Sequence, residues 1–356
     1  MSRCLCCNKE MINPSEYESR FFWHEKCIKS FFGTKYIPEL DCSDEELERL
    51  VNLTVNKGLT VPGVQKKLSL HLDSKDRTAR LTIVDYPAGY ILKPQSTDFS
   101  YLPESEFLSM KMAEAARIRT VPNAMILTNG RYSYITRRID RERKQLLAME
   151  DFCQLSGRLT EDKYRGSYEN CGRIIKKYSR NTGLDLTELY YRLLFCFLTG
   201  NSDMHLKNFS LIEDKPGSRI FGLSPAYDLL PVNIIMPSDN EQMALTLNGK
   251  KKNIRKKDFL YLAQNFGLEE KVAIDLMRQL LKYIKSFVNI IDCSYISEKM
   301  KEELKNLIST RAEELYPQFL MQSCKKPSHE QFCGIRRKFQ SLTQPWCNLP
   351  RHGIMI

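Results

Sequence analysis

Residues 199–212 read TGNSDMHLKNFSLI, and this stretch decides how the rest of the chain is read. The segment leading into it, LYYRLLFCFLTG, carries apolar residues at helical spacing and stops at Gly200. The segment leaving it, FSLI, is strand-like and apolar. Asn201, Asp203, His205, Lys207 and Asn208 are therefore crowded between two segments whose composition sends them inside. Polar and charged groups in such a place cost free energy unless they are hydrogen-bonded, paired or bound to something. Polar side chains held at the mouth of a core are what a site requires.

The spacing gives the chemistry. Asp203 and Asn208 stand in a D-x4-N pattern, and FGLSPAYDLLP supplies Asp228 further on, again between apolar runs. This order matches the phosphoryl-transfer template, in which one Asp accepts a hydroxyl proton while an Asn and a second Asp hold Mg2+. An amide oxygen and a carboxylate are hard ligands suited to that ion. Asp203 is the expected catalytic base, Asn208 and Asp228 the expected Mg2+ ligands. Lys207 is expected to neutralise charge developing on the γ-phosphoryl group. His205 is expected to hydrogen-bond within the loop and face the cofactor rather than act as acid or base.

D-x4-N alone arises by chance in many chains. It gains weight because the front half supplies the other parts in the right order. YILKPQ places Lys93 on a strand, where a phosphate-binding lysine belongs, and Glu106 follows in the helix pattern ESEFLSMKM. Taken singly, Lys93 reads better as a strand-end surface lysine and Glu106 as a solvated helix residue; it is their arrival in the right order that favours a site. GLTVPGVQKKLSL precedes them with Gly58 and Gly63, a loop whose amides, with Gln65, Lys66 or Lys67, suit a phosphate cradle.

Composition sets the outer bounds. The chain has 356 residues, of which 42% are hydrophobic, enough for a substantial core and two lobes. Its formal net charge of +11 favours an acidic partner such as a nucleotide, though solubility alone also accounts for it. A run of about 18 apolar residues, the length that spans a bilayer, is missing, and the N-terminus MSRCLCCNKE has no apolar signal core. A cytoplasmic protein is expected. Its twelve cysteines then read as core residues or metal ligands rather than disulfides. Cys4-x2-Cys7 and His24-x2-Cys27 form a pattern suited to a tetrahedral structural Zn2+, with Cys6 as the competing ligand.

Residues 59–140 alternate in a β manner around one helix, and Asn129-Gly130 predicts a hairpin. CSDEELERLVNL opens with Ser43 and Glu46 in capping-box spacing, predicting a helix start. From about residue 149 the pattern turns helical, through EDFCQL, DLTELYYRLLFCFLTG, KDFLYLAQNFGL, EKVAIDLMRQLLKYIKSFVNII and SEKMKEELKNLISTRAEEL. The expected fold class is α+β and bilobal: a β-rich N-lobe, a helical C-lobe and a small zinc-knuckle-like unit ahead of them. The expected divisions are 1–36 for that unit, 37–140 for the N-lobe, 141–320 for the C-lobe and 321–356 for a basic tail.

TVPGVQKKLSL, YILKP, ESEFLSMKMA, YITRRIDR, MEDFCQL, TGNSDMHLKNFSLI, SPAYDLLP and MALTLNGKK, in this order, resemble the HipA family of toxin kinases over residues 58–315. The resemblance implies a protein-kinase-like fold and phosphorylation of Ser or Thr in a protein, aminoacyl-tRNA synthetases being targets in the family. It implies ATP and Mg2+ as cofactors, with Asp203 catalytic, Lys93 on the ATP phosphates, Glu106 as its partner, and Gly63, Gln65 and Lys67 in the phosphate loop. Arg137 and Ile139 fall where the family's nucleotide hinge lies. The early phosphate loop resembles the short form, HipT, whose missing part is a separate small protein, HipS. Partners implied are a protein substrate, a HipB-like DNA-binding antitoxin and a HipS-like protein, with nucleic acid met only through the antitoxin and no membrane. Thr60, the only hydroxyl residue between Gly58 and Ser69, is the implied regulatory site of autophosphorylation. Two other readings use the same residues: a small-molecule or lipid kinase, and a weakly active scaffold that binds an antitoxin as co-repressor.

Overall fold

The computed structural model describes residues 2–40 and 67–317, apart from 76, 77, 85, 87, 97, 143 and 144. The helix start at Ser43 and Glu46, the loop residues Thr60, Gly63, Gln65 and Lys66, and the tail 321–356 lie outside the described residues.

A turn through Cys4–Lys9 comes first, then two short helices, α1 (Glu16–Phe21) and α2 (Glu25–Phe32). α1 opens on a capping box between Ser15 and Glu18. α2 buries Cys27, Ile28, Phe31 and Phe32, which share one face at helical spacing.

The N-lobe is a six-stranded sheet. Its strands are β1 (Glu39–Leu40), β2 (Leu68–Lys75), β3 (Thr78–Val84), β4 (Tyr90–Lys93), β5 (Asn123–Thr128) and β6 (Arg131–Arg137). Their order is β1-β3-β2-β4-β6-β5, antiparallel except for the parallel β1–β3 pair. The β5–β6 hairpin turns at Asn129-Gly130, with φ of +52° and +78°, the left-handed pair that favours Asn-Gly. Register sets Lys93 opposite Tyr134. Between β4 and β5 runs α3 (Leu102–Ala115), buried from Leu102 to Ala113, so its polar residues need partners. Glu104 accepts from Gln95 Nε2 at 3.2 Å, and Lys111 pairs with Glu114 at 2.8 Å.

β7 (Arg141–Glu142) and β8 (Gln145–Leu146) form a small ribbon before the C-lobe. There β9 (Met149–Asp151) pairs with β10 (Ser210–Glu213), which pairs with β11 (Phe221–Leu223). Within EDFCQL, Glu150 and Asp151 therefore belong to a strand, and only Phe152–Leu155 is helical, as α4. α5 (Tyr168–Tyr178), which periodicity did not single out, packs against α6 (Thr182–Thr199). α6 is the central helix: every residue from Leu189 to Thr199 is buried, including Arg192, whose guanidinium reaches Glu188 and the Ser224 carbonyl. After β11 come α7 (Val232–Ile235), α8 (Lys256–Phe266), α9 (Glu270–Leu281), α10 (Ile284–Asp292) and α11 (Glu298–Leu315). The apolar pattern over residues 270–292 thus divides into two helices, parted at Lys282 and Tyr283. Among the described residues no helix is long and apolar enough to cross a membrane.

Gly200 ends α6 with φ +77°, and a Cβ there would lie 2.5 Å from Leu307 Cδ2 on α11. A left-handed non-glycine residue costs about 1–2 kcal/mol and local overpacking a further ~1 kcal/mol. Gly200→Ala is expected to lower the unfolding free energy by about 2–3 kcal/mol in urea titrations. An unchanged midpoint would show that this cap is not under the constraint described.

Candidate functional site

The site grows from the end of β4. Lys93 is 8% exposed, and a buried ammonium needs counter-charge. Its Nζ lies 2.7 Å from Glu106 Oε1 on α3 and 2.6 Å from Asp228 Oδ1, which arrives from the C-lobe beyond β11. Burial favours loss of the Lys93 proton, but Asp228 and Glu106 more than reverse this and hold its pKa above the usual lysine range. Burial pushes the Glu106 carboxyl up to about 7 against the pull of Lys93. Removal from water likewise works against the Asp228 carboxylate, yet the Lys93 charge and hydrogen bond keep its pKa below the ordinary value. Asp228 takes a left-handed backbone, φ +59°, a conformation that Asp tolerates better than most residues.

The loop after α6 faces this group. Tyr164 Oη donates to Asp203 Oδ1 at 2.5 Å. Burial lifts the Asp203 pKa to about 6, with Tyr164 lowering it and the nearby Asp228 charge raising it. Asn208 Nδ2 donates to the Asp203 carbonyl at 2.9 Å, so its amide nitrogen is committed and Oδ1 is left as its free ligand atom. A second amide, Asn201 Oδ1, accepts from the Asp203 N–H at 3.3 Å. His205 packs edge-on to Tyr164; burial and the neighbouring Lys163 depress its pKa to about 4, which keeps it neutral. Its Nδ1 is buried without a hydrogen-bond partner.

The loop is braced from behind. Asn233 donates its N–H to the Gly200 carbonyl at 3.1 Å and its Nδ2 to the carbonyls of Asp239 and Glu241. Arg311 of α11 donates to Asn233 Oδ1 at 2.6 Å, and Ser202 Oγ donates to Asp239 at 2.6 Å. Neither Asn233 nor Tyr164 was recognisable from the sequence, because no local pattern marks a residue whose partners lie tens of positions away.

The remaining expected residues are distributed as follows. Lys207 Nζ pairs with Asp151 Oδ2 at 2.9 Å, a partner that the sequence reading did not name. The Ser210–Asp151 register of β10 and β9 brings the two together. Lys67 is exposed and within electrostatic reach of Asp228, Lys93 and Lys207. Arg137, exposed at the end of β6, stands opposite Tyr90 at the start of the strand that carries Lys93. Ile139 is partly buried against the core.

The Asp228 carboxylate beside Lys93, and the Asn208 amide oxygen on the loop whose Asp203 interacts with Asp228, offer two hard oxygen donors. That donor set fits Mg2+, which binds through one or two protein oxygens and completes its shell with water and phosphate. Cys4, Cys7, His24 and Cys27 form a second, separate cluster, their ligand atoms all within 4.8 Å of one another.

Asp151 does two jobs. Its Oδ1 accepts the Gln154 N–H at 2.9 Å as N-cap of α4, while Oδ2 holds Lys207. Asp151→Ala is expected to cost about 1–2 kcal/mol in chemical unfolding, and Asp151→Asn, which keeps a capping oxygen, well under half of that. Equal losses would mean that the ion pair, not the cap, carries the stability.

The chain matches a family described as the HipA-like C-terminal domain over residues 59–287. It is 30% identical over 279 residues to "Putative kinase Y4dM" of Sinorhizobium fredii, covering 73% of this chain and 66% of that one. It is 27% identical over 213 residues to the serine/threonine-protein kinase toxin HipA of Shewanella oneidensis, covering 53% of this chain and 47% of that protein. The chain thus spans between about half and two thirds of these relatives. Among solved structures it superposes on the Shewanella oneidensis complex of HipA, HipB and operator DNA with a TM-score of 0.62. That superposition has 19% identity and covers 76% of this chain and 67% of the other, a likeness of fold.

Proposed function

The chain belongs to the HipA-like C-terminal domain family, and from that premise we propose that it is an ATP- and Mg2+-dependent protein kinase acting on Ser or Thr hydroxyls. The observation that carries this reading is the convergence of Lys93, Glu106 and Asp228 from two lobes on the loop that bears Asp203 and Asn208. Asn208 and Asp228 would hold Mg2+, and Mg–ATP when bound supplies the transferable phosphoryl group and the charge that offsets its oxygens.

The chain's own residues do the rest. Glu106 fixes the direction of Lys93, so its ammonium is presented to phosphate oxygens without reorganisation. Asp203, with a pKa near 6, is ionised at neutral pH and takes the proton of the incoming hydroxyl. Tyr164 occupies Oδ1 of that carboxylate, which leaves Oδ2 for the substrate. Lys207 completes the local positive charge from its anchorage on Asp151. The division into an N-terminal unit, N-lobe, C-lobe and tail, the phosphate-loop roles of Thr60, Gly63, Gln65 and Lys67, and the hinge roles of Arg137 and Ile139 belong to the same proposal. So do a HipB-like antitoxin, a HipS-like partner and a translation-related substrate such as an aminoacyl-tRNA synthetase, which rest on likeness to HipA proteins. A Zn2+ at the N-terminal cluster would be structural and stand outside phosphoryl transfer.

Incubating the protein with γ-labelled ATP and a cell lysate tests the reading, with Asp203→Ala as control. A labelled protein band is expected; a labelled metabolite or lipid would favour a different kinase class, and no labelled product a scaffold. Asp203→Asn should keep fold and nucleotide binding and lose transfer by about 10²-fold or more. Near-normal turnover would assign the proton transfer to another group.

Asp228→Ala removes one of two hard oxygens and leaves Lys93 with Glu106 alone. It should weaken Mg–ATP binding in calorimetry by at least about tenfold, equivalent to ~1.4 kcal/mol. Unchanged affinity would remove Asp228 from the metal site.

A further inference from the structure

Outside the phosphoryl-transfer site, the chain gathers three thiols and an imidazole that phosphoryl transfer does not use. They come from two turns far apart in sequence. The first is a tight turn in which Asn8 N–H donates to the Cys4 carbonyl and Cys4 N–H to the Lys9 carbonyl, each at 2.9 Å. Asn8 sits at φ +56°, which lets the chain double back directly after Cys7. The second is the start of α2, where His24 is the N-cap and Cys27 lies in the first turn. Amide N–H groups at a helix start favour a thiolate, and the His24 N–H points at Cys4 Sγ, 3.4 Å away.

The geometry is that of a metal shell. His24 Nδ1 lies 3.5 Å from Cys7 Sγ and 3.9 Å from Cys27 Sγ. A tetrahedral centre with Zn–S of about 2.3 Å and Zn–N of about 2.0–2.1 Å sets its N and S ligands roughly 3.6 Å apart. Cys6, next to Cys7 in sequence, is not part of the four-residue group. Phe31 and Phe32 pack on Tyr90 of the N-lobe core and seat α2, while a metal would tie the Cys4–Lys9 turn to the start of that helix.

The same turns carry the contacts that seat the unit on the N-lobe. Leu5, between Cys4 and Cys7, accepts the Met125 N–H at 2.8 Å, and Trp23, next to His24, donates Nε1 to the Met125 carbonyl at 3.1 Å. Met125 lies on β5, an edge strand of the six-stranded sheet, so the unit satisfies backbone groups that this edge would leave open. The Arg3 carbonyl accepts from Tyr295 Oη of the C-lobe at 3.1 Å.

We propose that Cys4, Cys7, His24 and Cys27 bind one Zn2+ whose role is to lock these two turns together as a clamp on β5, making the N-terminal unit a working part of the N-lobe. Full-length protein purified without chelators should contain one zinc per chain. After chelation, titration with Co2+ should produce an intense thiolate-to-metal charge-transfer band and the visible bands of a tetrahedral site. Cys6→Ser should keep both, Cys7→Ser should lose both, and His24→Cys should bind metal with a stronger charge-transfer band. Removing the metal should accelerate hydrogen exchange at the Met125 amide by tenfold or more while amides of α6 stay protected. Wild-type protein without zinc and without a Co2+ spectrum would overturn the site, as would zinc retained in Cys7→Ser or a band unchanged in His24→Cys. Metal loss that leaves Met125 exchange unaltered would overturn the clamp.

Discussion

The buried ammonium of Lys93 organises the candidate site. Lys93 stands at the end of β4 with its charge out of reach of bulk water, and an uncompensated charge there would cost several kcal/mol. Glu106 satisfies it from α3 and Asp228 from the other lobe. β4, α3 and the segment after β11 must therefore be in register with one another before that charge is tolerable. Replacing such a group by well-packed apolar residues is often neutral or stabilising, so its presence is better explained by what it positions than by what it stabilises. Asp228 and Asp203 interact across the cleft, and Lys67 and Lys163 stand within electrostatic reach of them, so the cleft holds charges of both signs close together.

The loop that meets this group is rigid for reasons of backbone accounting. A chain leaving a buried helix must place its carbonyls and N–H groups somewhere. Gly200 turns left-handed, and its carbonyl goes to Asn233. The Asp203 carbonyl goes to the His205 N–H and the Asn208 amide, and the Asp203 N–H goes to Asn201. The asparagines that look in sequence like an assortment of polar residues are thus the local hydrogen-bond closure of a loop between two apolar elements. Arg311, buried and donating to the Phe197 carbonyl as well as Asn233, extends that closure to α11.

What was legible in the sequence follows from range. Lys93 and Glu106 are close in the chain, and the strand-then-helix pattern is enough to bring them together. The hairpin at Asn129-Gly130 was readable because its turn chemistry is local. By contrast, Trp23 bonds Met125 across a separation of 102 residues, and Lys207 meets Asp151 only because β9 and β10 pair. A helical period cannot reveal a break that tertiary packing imposes, so residues 270–292 read as one helix and fold as two. Asp151 read as helical because it caps a helix, but the strand ladder on its other side claims its backbone.

The two lobes are also joined by backbone. Val121 N–H donates to the Ala226 carbonyl at 3.0 Å and Ala226 N–H to the Arg119 carbonyl at 2.7 Å, two residues before Asp228. A backbone displacement that carries Asp228 away from Lys93 must strain or break these bonds. Each is worth about 0.5–1.5 kcal/mol net; the Asp228 side chain is 38% exposed and Glu106 stays on Lys93, so loss of this contact strips neither ion of all its partners. The backbone ties therefore set where Asp228 stands, and the ion pair adds to that hold. Glu106 limits that hold: with Asp228 drawn elsewhere, Lys93 keeps one carboxylate and remains charged. The arrangement lets Asp228 exchange an ammonium for a metal cation without leaving the lysine bare, which a simple two-member pair would not allow.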